Sequence, residues 1–425
     1  MDERFVINGP SRLSGEIEVR GSKNAVLPII AATLLTSKPC TINNVPRIED
    51  VYRMLEILRG TGAQVTWAGR RKVRIHARRI NTEHLDSALV SKLRASVLFL
   101  GPLLARCGKV LLPYPGGDHI GRRSLEAHFN AFRSLGARVR VSHDRIFVDA
   151  ARGLRGGEVI LDEFSVTGTE NVLMASSLMT GERRIKMAAL EPHVIDLTRF
   201  LRKLGVKIKG EGTHTLTLQG SRALHGADYS VIYDPIEAGT FIILGALAQG
   251  EILVKNVNLE HLELFLKKLQ DIGVRFYIEK GKGVDRRTVR VSYSGRLKKF
   301  NAQALPFPGI PTDLQALLGL LATQAKGTSI IHDPLYENRF NYARELQKMG
   351  ARVRFLDPHR TEFTGPTKLA GVRIKSFDLR AGATLIIAGL IARGRTVISD
   401  AYQVDRGYER IEKRLQALRA DIQRV

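Results

Sequence analysis

One phrase returns six times along this chain: the end of an apolar helix, a turn residue, then alternating apolar and polar residues. It reads LRGTGAQV ending at Val65, RSLGARV at Val139 and RKLGVKI at Ile208. It reads QDIGVRF at Phe276, QKMGARV at Val353 and QALRADI at Ile422. The turn positions are Gly62, Gly136, Gly205, Gly273, Gly350 and Arg419, with spacings of 74, 69, 68, 77 and 69 residues. Such a period is too long for a solenoid repeat and too short for a typical independent domain. It suits an α/β unit that buries its apolar face only against its siblings. Glycine just past a helix end supplies a left-handed C-cap at low steric cost. Alternation such as Ala-Arg-Val-Arg-Val over 137–141 then predicts a strand with one buried face.

A second phrase accompanies the first: a small-residue apolar helix, a Gly-containing polar turn and a β-rich strand. It occurs at 31–45, 101–113, 175–187, 244–257, 320–333 and 388–400. These helices are apolar nearly all round, which predicts that they lie at the centre of a domain.

With 425 residues the chain is long enough for two domains, and 44% hydrophobic against 25% charged residues is the balance of an ordinary globular protein. No apolar run approaches the ~18 residues of a membrane span, and MDERFVINGP does not read as a signal peptide. Cys40 and Cys107 both sit in apolar phrases and are too few for a disulfide framework, so a reducing compartment is expected. The net charge of +24 raises the question of a nucleic-acid or anionic partner. The excess is spread along the chain, as in 68–79 and 280–287, and no aromatic stacking motif lies among the basic residues. Most of it reads as solvated faces, and neither a nucleic-acid nor a membrane partner is expected.

Several residues could carry chemistry. Lys23 and Asn24 in GSKNAVLP (21–28) follow a Gly-Ser turn and open an apolar helix. A helix start favours an anion, so a lysine there makes sense if an anion binds and Lys23 shares it. The loop PYPGGDHIGRR (113–123) presents Asp118, Arg122 and Arg123 on a Gly-rich segment that could close over an anionic substrate. Arg339, Arg380 and Arg406 lie in YENRF, FDLRAGATL and QVDRGYERI, the last two each expected to open a helix. Arginine is the natural two-pronged clamp for carboxylate and phosphate, and several at equivalent repeat ends imply a shared basic cleft. Asp313 follows Pro311 at a helix start; it reads either as a plain N-cap or as a general base among cationic clamps.

Taken together, GSKNA (21–25), LRAS (93–96), PGG-x-x-IG-x-R (115–123), TGTEN (167–171), PTD (311–313), ENRF (337–340), DLRA (378–381) and DRGYERIE (405–412) resemble the enolpyruvyl transferase family over essentially the whole chain. They match its nucleotide-sugar branch rather than the 5-enolpyruvylshikimate-3-phosphate branch. The resemblance implies a two-domain inside-out α/β barrel with six βαβαββ-like repeats, three per domain. Domain II would comprise 1–21 plus 232–425, and domain I 22–231 with a lid at about 113–123. The active site would lie in the cleft between them.

The resemblance also implies an activity. The enolpyruvyl group of phosphoenolpyruvate would move to the 3-hydroxyl of UDP-N-acetylglucosamine with release of phosphate, in the first committed step of peptidoglycan synthesis. The reaction would be cytoplasmic, with no cofactor and no metal, and the protein a monomer. Lys23, Arg123 and Arg406 would clamp the phosphate, and Arg339 and Arg380 the carboxylate. Asp313 would take the hydroxyl proton, and Asp118 would be the general acid. Arg94 would be a substrate-side arginine tied to closure. Asn24, Ser124, Leu125, Glu126, Ala127, Glu163, Phe164, Ser165, Val166 and Leu335 would hold the nucleotide sugar.

Asp118 stands where most family members have Cys and some have Asp, which predicts insensitivity to fosfomycin, an alkylator of that thiolate. Ser124 stands where Pro is common and Glu163 where Lys is found, and His193 and Pro235 also differ. These departures leave a different acceptor open. A basic nucleic-acid-binding protein on the same repeats is the reading of another class.

Overall fold

The computed structural model describes residues 3–82, 85–117, 120–121, 123–281 and 286–425. All six repeat turns adopt the left-handed conformation: φ is +89° at Gly62, +84° at Gly136, +108° at Gly205, +96° at Gly273, +95° at Gly350 and +70° at Arg419. The sixth copy therefore keeps the backbone although a side chain makes that conformation costlier.

The chain divides into two compact units. Unit 1 comprises the described residues within 1–20, 118–122 and 233–425, and unit 2 those within 21–117 and 123–232. Each is an inside-out α/β barrel, with helices within and sheets without. Unit 2 is built around α1 (Lys23–Ala32), α2 (Leu100–Cys107) and α3 (Val166–Ser176). Unit 1 is built around α4 (Pro235–Leu247), α5 (Gln315–Gln324) and α6 (Leu379–Ile391). These are the helices of the second sequence phrase, and their apolar residues form the centre of two separate cores, one per unit. Small residues let them pack closely: a Cβ on Gly101 of α2 would fall 2.4 Å from the backbone oxygen of Asn171 in α3.

Three sheets surround each trio of helices among the described residues. The recurring order is a strand, a buried helix, a strand parallel to the first, an outer helix and an antiparallel strand pair. Asn301–Gln303, α5 and the parallel strand Ala325–His332 show it, followed by the helix Asn341–Lys348 and the pair Arg352–Asp357 and Arg360–Gly365. The same order holds around α3, where Glu158–Ile160 runs parallel to Glu182–Lys186. The repeat around α2 departs from it. Its sheet has three strands, Lys109–Pro113, Arg138–Val141 and Arg145–Asp149, and lacks the leading parallel strand among the described residues. In two repeats the leading strand comes from elsewhere in the sequence. Arg12–Glu18 pairs with Gln249–Val257, and Asp228–Ser230 pairs with Cys40–Asn43.

Candidate active site

In unit 1 the arginines converge on Asp313. Pro311 leads into a tight turn, Thr312–Leu314, and itself occupies the N-cap position, so Asp313 lies inside the turn and the N-cap reading is set aside. Arg339 Nη2 donates to Asp313 Oδ1 at 2.6 Å, and Arg380 Nε donates to Oδ2 at 3.1 Å. Arg380 is held there by its helix. Asp378 caps α6, taking the backbone N–H groups of Arg380 at 2.8 Å and Ala381 at 2.9 Å. Both guanidiniums are buried, whereas the Asp313 side chain stays 26% exposed. Burial is the largest influence and opposes charge on both arginines, but Asp313 together with Tyr408 and Asp234 at Arg380, and with Asp378 and Asp333 at Arg339, outweighs it and holds both pKa values above the ordinary range.

Arg380 also lies over the Tyr408 ring, with Cζ 5.4 Å from its centroid. The Tyr408 hydroxyl is engaged with Thr240 Oγ1 at 2.8 Å and gives Arg380 only a weaker polar contact. Neither Nη nitrogen of Arg380 makes a well-formed hydrogen bond among the described residues. Buried, unspent guanidinium donors in a fork are the arrangement that takes a carboxylate. Arg406 is buried too, with Nη1 3.2 Å from Gln403 Oε1. It ends the short helix Tyr402–Asp405 rather than opening one, correcting the sequence expectation. Leu335 is 40% exposed, on the stretch between Asp333 and Arg339.

Unit 2 holds the other group. Ser22 caps α1, its Oγ accepting from Ala25 N at 3.3 Å, and Lys23 is the first helical residue. Gly21 before it has no room for a side chain, since a Cβ would meet Asn44 O at 1.7 Å. Lys23 Nζ pairs with the buried Asp50 Oδ2 at 2.9 Å, so the sequence puzzle of a cation at a helix start is answered by an acid from the helix Glu49–Gly60. Asn24 beside it is half-buried. Arg94 donates through Nη2 to the backbone oxygens of Arg123 and, at 3.3 Å, of Ser124. Gly117, at φ +113°, faces both arginines: a Cβ there would come 2.8 Å from Arg94 Cβ and 3.1 Å from Arg123 Nη2. Arg94 thus fixes the segment that leads into the helix Glu126–Ser134.

The remaining expected contacts divide by exposure. Ser124 is exposed, its Oγ accepting from Glu126 N at 3.1 Å, and Glu126 is exposed. Leu125 and Ala127 are buried, Leu125 within the unit 2 core, and offer only backbone to a ligand. Glu163 is exposed, and its carbonyl accepts from Ser165 N at 2.7 Å. Ser165 caps α3, taking Gly168 N at 3.3 Å, and Val166 opens that helix half-buried. Phe164 is 40% exposed with its ring 4.4 Å from that of His214. Asp118 and Arg122 lie outside the described residues. The neighbouring Ile120 belongs to unit 1 and its carbonyl accepts from Asn338 N at 3.1 Å. Pro235 opens α4 behind the N-cap Asp234, an ordinary place for proline, and His193 lies in the first turn of the helix Pro192–Leu204.

Sequence reasoning missed Asp50, Tyr408, His128 and the pair Thr312 and Asp333. His128 is buried behind Arg94, Nε2 2.9 Å from Thr167 Oγ1. Burial, aided by the Arg94 charge, pushes its pKa down to about 3, so the ring is neutral. Among the described residues no group of three or more His, Cys, Asp or Glu is arranged to hold a metal ion. None of their helices is long and apolar enough to cross a membrane.

A family profile described as EPSP synthase (3-phosphoshikimate 1-carboxyvinyltransferase) matches residues 7–415. The UDP-N-acetylglucosamine 1-carboxyvinyltransferase 2 of Carboxydothermus hydrogenoformans is 42% identical over 423 residues, covering 100% of this chain and 99% of the relative. The chain belongs to the enolpyruvyl transferase family. This enolpyruvyl transferase is also 41% identical over 413 residues to the UDP-N-acetylglucosamine 1-carboxyvinyltransferase of Finegoldia magna, covering 97% of the chain and 96% of the relative. Among solved structures it is similar to the enolpyruvyl transferase NikO from Streptomyces tendae, with a TM-score of 0.89 and 26% identity over 100% of this chain and 99% of that one. The EPSP synthase of Acinetobacter baumannii, at 19% identity and a TM-score of 0.76 with both chains covered at 100%, shares the fold.

Proposed function

We propose that this enolpyruvyl transferase moves the enolpyruvyl group of phosphoenolpyruvate onto the 3-hydroxyl of UDP-N-acetylglucosamine, releasing phosphate, in the first committed step of peptidoglycan synthesis. Relatives of about the same length and roughly two-fifths identity carry that activity in their names. The observation that carries the reading at the level of chemistry is Asp313 held between Arg339 and Arg380, with the Nη donors of Arg380 unspent.

In this reading the Arg380 fork takes the carboxylate of phosphoenolpyruvate, and Arg339 orients Asp313. Each Asp313 oxygen receives one guanidinium N–H, which holds the carboxylate in place to take the proton of the sugar hydroxyl. Asp118 as general acid protonates the methylene carbon while the hydroxyl oxygen attacks the neighbouring carbon and gives its proton to Asp313. The resulting tetrahedral ketal carries both the sugar and the phosphate. It then loses a methyl proton to the Asp118 carboxylate as the carbon–oxygen bond to phosphate breaks. Lys23, Arg123 and Arg406 hold the phosphate and stabilise its leaving charge, the kind of fixed electrostatic contribution that dominates many enzymatic rates. Ser124, Glu163 and Phe164 offer exposed groups to the nucleotide sugar beside the half-buried Ser165, and we place the reaction in the cytoplasm.

The departures from the family pattern at Ser124 and Glu163, both exposed, leave a second reading with another hydroxyl acceptor. Phosphate release from phosphoenolpyruvate, with and without UDP-N-acetylglucosamine, decides between them. Release only with that acceptor supports the first. Binding of phosphoenolpyruvate without release supports the second.

A further inference from the structure

Beside the Asp313 turn lies a second carboxylate, whose charge also acts on Arg339. Asp333 is completely buried at the end of the strand Ala325–His332. Its two oxygens are divided between two segments. Oδ2 accepts the hydroxyl of Thr312, the residue before Asp313. Oδ1 accepts the backbone N–H groups of Leu335 at 3.0 Å and Tyr336 at 3.3 Å. That second segment runs directly to Arg339, whose Cζ lies 5.9 Å over the Tyr336 ring. The backbone of Asp333 is fixed in turn by His359: Asp333 N donates to His359 O at 2.8 Å, and His359 Nδ1 lies 2.8 Å from Asp333 O.

A buried carboxylate is costly to place unless every lone pair it uses is well directed. Here it ties the turn that carries Asp313 to the loop that carries Arg339, two segments far apart in sequence whose side chains must meet within hydrogen-bond range. We infer that Asp333, through the Thr312 hydroxyl, is a positioning residue that sets the Asp313–Arg339 contact. This inference rests on the proposed role of Asp313. It adds a requirement which that role alone does not contain: the hydroxyl of Thr312 is needed although it need not touch a substrate.

The test uses Thr312→Val, which keeps the shape of the side chain and leaves the Asp333 bonds to Leu335 and Tyr336 in place. Its partner is Thr312→Ser, which restores the hydroxyl. The full-length Val variant should lose about tenfold or more in kcat, while KM for phosphoenolpyruvate and for UDP-N-acetylglucosamine stays within about twofold. The Ser variant should return kcat to within about twofold of wild type. A Val variant with wild-type kcat overturns the inference, as does a Ser variant as impaired as Val. Crystal structures of wild type and Thr312→Val give a readout independent of turnover. The 2.6 Å contact between Asp313 Oδ1 and Arg339 Nη2 should open in the variant, and an unchanged contact overturns the inference. Wild type that releases no phosphate from these substrates would count against the proposed reaction, and the crystallographic comparison would then decide the positioning role by itself.

Discussion

Lys23 Nζ lies 2.9 Å from Asp50 Oδ2, with the Asp50 side chain 2% exposed and the Lys23 side chain 13% exposed. The pair leaves a largely buried lysine at the start of α1, where backbone N–H groups already favour an anion. Asp50→Asn removes the countercharge and keeps the shape. It should cost about 1–3 kcal/mol of stability, as expected when one partner of a largely buried pair is lost. It should also raise KM for phosphoenolpyruvate, because Lys23 is no longer held. Denaturant melts and steady-state kinetics check both. A variant equal to wild type in both would remove Asp50 from the account.

Arg380→Lys keeps the positive charge and discards the fork. The Nη donors that find no well-formed hydrogen bond among the described residues are the ones assigned to the substrate carboxylate. The expected loss is about 100-fold in kcat/KM for phosphoenolpyruvate, the scale of a charge-assisted bidentate contact. A lysine variant within a few-fold of wild type would mean that point charge suffices and the carboxylate binds elsewhere.

His128 supplies a pH prediction. Its folded pKa is pushed down to about 3, first by burial and then by Arg94, from an ordinary value of 6.5. The unfolded chain therefore binds the proton more readily. The contribution to stability is complete above pH 6.5 and falls away as pH drops toward 3, by up to about 5 kcal/mol. His128→Gln, which stays neutral throughout, should flatten that part of the stability profile between pH 6.5 and 4. An equally steep loss in the variant would assign the acid sensitivity to other groups.

The repeat could be read in the sequence because its defining event is local. A left-handed residue after a helix is written as glycine five times, and the spacing located Arg419 without one. The six buried helices were legible for a similar reason, since a helix apolar on every side has only one place to go. What could not be read is the side-chain pairing between distant segments. Asp50 looks like an ordinary acid in a first helical turn, and Asp313 like an N-cap. Only the fold brings Lys23 to one and two arginines to the other. Thr312 and Asp333 carry no local signal at all, because their hydrogen bond joins a turn to a strand end. Leu125 and Ala127, which the resemblance places among the nucleotide-sugar contacts, are buried.

Fosfomycin tests the general acid. A carboxylate is a far poorer nucleophile toward the epoxide than a thiolate. Wild type should show no time-dependent inactivation, and Asp118→Cys should gain it while keeping turnover. Inactivation of wild type, blocked by Asp118→Asn, would show that the carboxylate itself is alkylated.

The most direct measurement is phosphate release from phosphoenolpyruvate in the presence of UDP-N-acetylglucosamine, for wild type and Asp118→Asn. Release should require the acceptor and be lost in the variant. Release that ignores the acceptor, or that survives in Asp118→Asn at the wild-type rate, would contradict it.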